Sequence, residues 1–132
     1  MSVNRIINPP GLPEPVGFSH AVAAEGSRVL YVSGQTGHRA DGSIDDDLLV
    51  QFRQALAAVA RCMEEAGFPP ESLARMVIYT TDVAAYRNSL GPIGSAYREV
   101  FGRHFPAMAL FGVTELFDPA ARIELVATAV TD

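Results

Sequence analysis

The sequence predicts an α+β fold with the element order β-β-β-α-β-α-β-β. Three observations predict it. Short runs rich in β-branched and aromatic residues, such as Met76-Val77-Ile78-Tyr79-Thr80-Thr81, have the composition of strands. Two longer stretches carry apolar residues at helical spacing. Glycine and proline breaks punctuate the chain between these runs.

Val3 to Asn8 is read as a first short strand. Pro9, Pro10, Pro13 and Pro15, with Gly11 and Gly17, then impose an irregular loop, because proline fixes φ and removes a donor. Ser19 to Ala24 and Arg28 to Ser33 follow as two strands. The tight Glu25-Gly26-Ser27 turn between them suggests a hairpin. Asp45, Asp46 and Asp47 offer a cap and favourable charge to a helix. Its apolar stripe runs through Leu48, Phe52, Ala55, Leu56, Val59, Cys62 and Ala66, and Gly67 with Pro69-Pro70 ends it. Leu73 to Asp82 is a buried strand. A second helical stripe, Ile93, Tyr97, Val100 and Phe101, stops at Gly102, and Gly91-Pro92 obscures its start. Ala107 to Val113 and Arg122 to Val130 close the fold around a turn at Asp118-Pro119. Two helices can cover only one face of a six-stranded sheet, so a symmetric oligomer packing the bare faces together is expected.

The chain has 132 residues, 48% of them hydrophobic and 19% charged, which suits one folded domain over residues 1–132 rather than a disordered chain. All ten basic residues are arginine, scattered and outnumbered by 15 acids, so a nucleic-acid partner is not expected. Cys62 is alone and can form no internal disulfide, which fits the cytoplasm. No apolar leader or 18-residue apolar run occurs, so no membrane association is expected.

Residues 11–22 (Gly-Leu-Pro-Glu-Pro-Val-Gly-Phe-Ser-His-Ala-Val) and Leu30-Tyr31-Val32-Ser33-Gly34-Gln35 resemble the Rid/YjgF family of reactive-intermediate deaminases. Val77-Ile78-Tyr79-Thr80-Thr81-Asp82, Phe105-Pro106-Ala107 and Ile123-Glu124-Leu125-Val126-Ala127 continue the likeness in order. The resemblance implies a chorismate-mutase-like fold and a homotrimer around a central barrel. It implies a small-molecule pocket at each subunit interface and no cofactor. Active members of this family hydrolyse enamines and imines derived from amino acids, releasing ammonia and a 2-oxo acid. An arginine grips the substrate carboxylate with paired hydrogen bonds, and a glutamate handles water and protons.

This chain departs from that pattern. The arginine's position after Pro-Ala is Met108, and the glutamate's position is Val126, with Glu124 as the acid two residues earlier. The loop tyrosine corresponds to Phe18. An asparagine of the second helix falls near Gly94, where Arg87 to Gly94 is about one helical turn longer than the pattern. Ser33-Gly34, whose backbone amide and carbonyl need no particular side chain, remains. Without the guanidinium a buried substrate carboxylate lacks its partner, at a cost of several kcal/mol.

The expected site therefore comprises Phe18, Ser33, Gly34, Met108, Leu110 and Val126, with Glu124 as the remaining acid–base candidate. Leu110 and Phe111 alternate, so only one can face a pocket. For Glu124 an ordinary interface ion pair, with an arginine of a neighbouring subunit, is the favoured reading over catalysis. Ser19 and His20 are adjacent on a strand and face opposite ways, which argues against a hydrolytic dyad. His20, His38 and His104 show no metal-ligand spacing, Cys62 is expected to be buried, and no metal site is expected. The function expected is action on a small imine, enamine or carbonyl metabolite, with ordinary 2-iminoacid deamination weak or absent. The alternative is a trimer that binds a small molecule without catalysis. A ribonuclease label also attached to the family is disfavoured by the acidic charge.

Overall fold

The computed structural model describes residues 4–132, so Val3 of the first expected strand lies outside them. In chain order the elements are β1 (Arg5–Ile7), β2 (Ala21–Ala23), β3 (Arg28–Thr36), α1 (Leu48–Glu65), β4 (Leu73–Thr80), α2 (Val83–Arg87), α3 (Leu90–Phe101), β5 (Ala107–Gly112) and β6 (Ile123–Thr131). The strand sequence is as expected, but the single six-stranded sheet is not formed. β3, β6, β4 and β5 make a mixed four-stranded sheet in that order, and β1 and β2 pair separately. The expected β2–β3 hairpin is absent for a physical reason. β6 offers β3 a nine-residue antiparallel partner, whereas three-residue β2 offers only a short ladder and pairs with β1.

The second helical region is also divided. α2 ends at Arg87 and α3 begins at Leu90, so the segment that looked long in the sequence contains a break between two helices. Pro92 falls in the first turn of α3, where its missing N–H forfeits no intrahelical bond.

α1 forms as its residues require. Asp47 caps it, its carboxylate accepting from Val50 N at 3.1 Å. At the other end Gly67 takes φ +78°, with Gly67 N–H donating to Glu64 and Phe68 N–H to Met63, a closing pair of bonds that satisfies the last carbonyls. Phe52, Leu56, Val59 and Met63 enter the core, meeting Val32, Met76, Ile78, Leu125 and Ala127 from the sheet. Cys62 does not join them. It lies about 100° round the helix from Met63, which takes the inward position, and is exposed. Gln51 is the polar member of this core. Its side chain donates to the carbonyls of Asp45 and Ala120 and accepts from Arg122 N–H, so burial leaves it fully bonded.

β6 shows the division of the sheet most clearly. Ile123, Leu125, Ala127 and Ala129 are buried under the helices, while Glu124, Val126, Thr128 and Val130 face the other way. Among the described residues that second face is only partly covered: Tyr31 is 79% exposed and Phe111 51%. Among the described residues no helix is long and apolar enough to cross a membrane.

Candidate functional site

The residues singled out in the sequence fall into two clusters on opposite faces of the sheet. Met108 and Leu110 stand beside Met76 and Ile78 in the parallel β4–β5 ladder and share their helix-facing side. They line a cleft of about 710 Å³ between α3 and the β4–β5 pair, roofed by residues 15–18 with Phe18 among them. Phe111 points the other way and stacks on Tyr79, so of the alternating pair it is Leu110 that reaches the cleft.

Ser19 holds the roof in place. Its N–H donates to Pro106 O at 3.0 Å and its hydroxyl to Phe105 O at 2.5 Å, which fixes Phe18 over the start of β5. His20 turns aside, its ring against Pro13 O at 2.6 Å and edge-on to Phe18. Serine and histidine thus serve separate partners.

The second cluster forms where β3 bulges. Val32 pairs with Ala127 and Gln35 with Leu125, so Ser33 and Gly34 together oppose the single residue Val126. Glu124 lies against this bulge. A Cβ added at Gly34 would overlap the Glu124 carboxylate, so only glycine lets that side chain rest on the β3 backbone. Ser33 O accepts from the Gln35 side chain at 3.1 Å. Ser33, Gly34, Glu124 and Val126 are therefore brought together, but not with Phe18, Met108 and Leu110 of the same chain.

Just beyond the bulge, Thr36 Oγ1 lies 2.6 Å from His38 Nδ1, and His38 Nε2 lies 2.8 Å from Asp118 Oδ2. The chain of bonds ties the end of β3 to the loop before β6. Asp118 is held below the usual carboxylate range, first by the Ala120 N–H and then by His38. His104 is a structural bond as well, its ring 2.7 Å from Leu73 O. Among the described residues no three His, Cys, Asp or Glu side chains gather as metal ligands.

The cleft holds residues that the sequence did not mark as site residues: Tyr86, Tyr97, Arg98 and Arg103. Burial pushes Tyr86 up to about 12, and raises Tyr97 further, so both phenols stay neutral. Tyr97 donates its hydroxyl to His104 O at 2.5 Å. Among the described residues no carboxylate lines the cleft. The Gly94–Arg98 spacing of four on α3 was the available signal, since it puts both on one helix face. That this face meets a cleft rather than the core is a tertiary property.

Comparison with known proteins agrees with this fold. A family model described as Endoribonuclease L-PSP matches residues 12–131. A RutC family protein of Aquifex aeolicus is 32% identical over 126 residues, spanning 93% of this chain and 98% of its own. A 2-iminobutanoate/2-iminopropanoate deaminase of Capra hircus is 28% identical over 131 residues, 97% of this chain and 90% of its own. The crystal structure of the Rid-family protein YyfB from Yersinia pestis superposes with a TM-score of 0.87 at 32% identity, covering 96% of this chain and 98% of that one.

Proposed function

Given that the chain belongs to the Rid/YjgF family, whose model carries the Endoribonuclease L-PSP description, we propose that it is a divergent, cytoplasmic member of that family. It forms one domain over residues 1–132 and assembles as a homotrimer. It acts on a small imine, enamine or carbonyl metabolite in a pocket completed between subunits. No metal or cofactor is required by this reading.

The observation that carries it is the place of Met108. Its thioether lines the cleft where the family likeness calls for a guanidinium, and Val126 at the bulge stands where it calls for a glutamate. The division of the site supports the assembly. Phe18, Met108 and Leu110 lie on the helix side, and Ser33, Gly34, Glu124 and Val126 on the bare side. A single chain cannot close these halves on one ligand, but a neighbouring copy that packs sheet faces together can supply the missing half. The exposed Val29, Tyr31 and Phe111 support burial of that bare face.

In this arrangement water adds to the C=N carbon, the nitrogen gains a proton and ammonia leaves as the carbonyl forms. Glu124 is the acid–base group within reach of such a composite pocket. The absence of any carboxylate from the cleft itself favours a second reading, a trimer that binds the small molecule without turning it over.

The test couples the protein to an amino-acid oxidase that generates 2-iminobutanoate, and times imine loss. Hydrolysis at least about a hundredfold slower than by an arginine-bearing relative is expected, since one positioned charge-stabilising donor is worth that much. Equal turnover would overturn the divergence. Met108→Arg combined with Val126→Glu is expected to raise 2-iminobutanoate hydrolysis toward the relative's rate, and failure to do so would remove these two positions from the pocket.

A further inference from the structure

The charge in the cleft runs against the charge of the molecule. The chain carries −5 overall, yet the cleft is lined by two guanidiniums, Arg98 and Arg103, and no acid. Neither arginine is paired: among the described residues the ion pairs of arginine use Arg39, Arg53 and Arg122. Glu99, the acid beside Arg98 in sequence, is taken by Arg53 at 2.7 Å. Arg98 keeps only a long contact to Ser95 Oγ at 3.5 Å. Its guanidinium is therefore a cation with open donors at an apolar cleft.

Gly94 gives that guanidinium its position. A Cβ built at Gly94 would sit 3.1 Å from Arg98 Nη1, so the arginine lies back over the helix backbone one turn before it, in space that a side chain at 94 would contest. Met108, Leu110, Ile93 and Phe18 supply the apolar wall.

We infer that Arg98, seated over Gly94, is the anion anchor of this cleft, and that the ligand is a small carboxylate with an apolar body. The inference rests on the reading of the cleft as a ligand pocket. It moves the charged contact from β5, where Met108 cannot provide it, to α3. A planar guanidinium bonds a carboxylate with two parallel hydrogen bonds, and such charge-assisted bonds strengthen as water is excluded. An anion held from α3 lies in a different orientation from one held from β5, so the same imine carbon need not meet the bulge residues. Arg103 adds long-range attraction at the cleft.

The test titrates the intact protein with benzoate and with benzamide, a neutral probe of the same shape. Benzoate is expected to bind about tenfold or more tightly than benzamide. Arg98→Met should abolish that preference and leave benzamide affinity within about twofold. Arg98→Lys should restore part of it, and Gly94→Ala should reduce it by displacing the guanidinium. Arg98 is exposed and, among the described residues, its side chain bonds only Ser95, so these variants are expected to fold with unchanged thermal midpoints. Equal binding of both probes, or an undiminished benzoate preference in Arg98→Met, would overturn the anchor and leave the pocket standing. Binding of neither probe to the unaltered protein would overturn the pocket and the anchor together.

Discussion

The two faces of β6 are made of the same strand and carry opposite assignments. Ile123, Leu125 and Ala127 are sealed under the helices, and their burial within one chain explains them fully. Glu124, Val126 and Val130 look out from the other side, where the described residues cover them only in part. The first face explains why the chain folds. The second, partly open in the single chain, is the face that the proposed assembly would pack. The proposed pocket divides along the same line, with the cleft half on the covered side and the bulge half on the bare side.

The largest expected effect breaks this comparison at the level of assembly. Tyr31→Asp alters a side chain that is 79% exposed in the single chain, so it should cost the protomer's own fold little. If the bare face is buried between copies, an unpaired carboxylate there costs several kcal/mol. Sedimentation should then show loss of the proposed trimer, with helix content unchanged. Leu125→Ala on the covered face should do the reverse, lowering stability by about 2–5 kcal/mol while assembly persists. A Tyr31→Asp trimer as tight as the parent would mean that this face is not the interface.

Much of this comparison was legible in the sequence. The α1 stripe and the Asp47 cap follow from spacing and short-range hydrogen bonding, and both are in the structure. Alternation along β6 separates Leu125 from Val126 without any structure. β5 was less readable, because Ala107-Met108-Ala109-Leu110-Phe111 is apolar on both faces and alternation does not say which face meets the helices. Only the parallel register with Met76 and Ile78 decides it. The β2–β3 hairpin misled because a local turn signal competes with a distant strand, and the longer ladder won. Arg98 went unnoticed for a related reason. A surface arginine on a helix becomes a pocket residue only when the strands opposite stand away from it.

A smaller effect sharpens the bulge half. Gly34→Ala places a methyl group where the Glu124 carboxylate lies. The obstacle is the end of a flexible side chain, so the fold should lose no more than about 1 kcal/mol as Glu124 swings aside. Function should register more. If Glu124 acts from the bulge, Gly34→Ala lowers turnover of whatever substrate is found, and does nothing further in a Glu124→Ala background. Additive losses in that double-mutant cycle would show that the glycine and the glutamate act independently.

The smallest effect concerns acid, and it again sets the two halves side by side. Asp82 caps α2 beside the cleft and is held low by the Ala85 N–H and then by Arg122. Asp118 braces the loop beyond the bulge and is held low by the Ala120 N–H and then by His38. Both carboxyls lie below their ordinary 3.8 in the folded protein. Their contribution is therefore fully present above about pH 4 and is lost as pH falls through the folded values. Asp118→Asn should lower stability at neutral pH and flatten its decline below pH 4, because the unfolded chain then takes up one proton fewer relative to the native state. Asp82→Asn should do the same from the cleft side. Both carboxylates are solvent-exposed, so each change should be small and should shrink with salt wherever the cationic partner contributes. The two will differ in one respect. The Asp82 pair ends on the Arg122 guanidinium at 3.0 Å and the Asp118 pair on the His38 imidazole at 2.8 Å. If His38→Ala left Asp118→Asn as costly as it is in the parent, the Ala120 amide, and not His38, would be what Asp118 is there to hold.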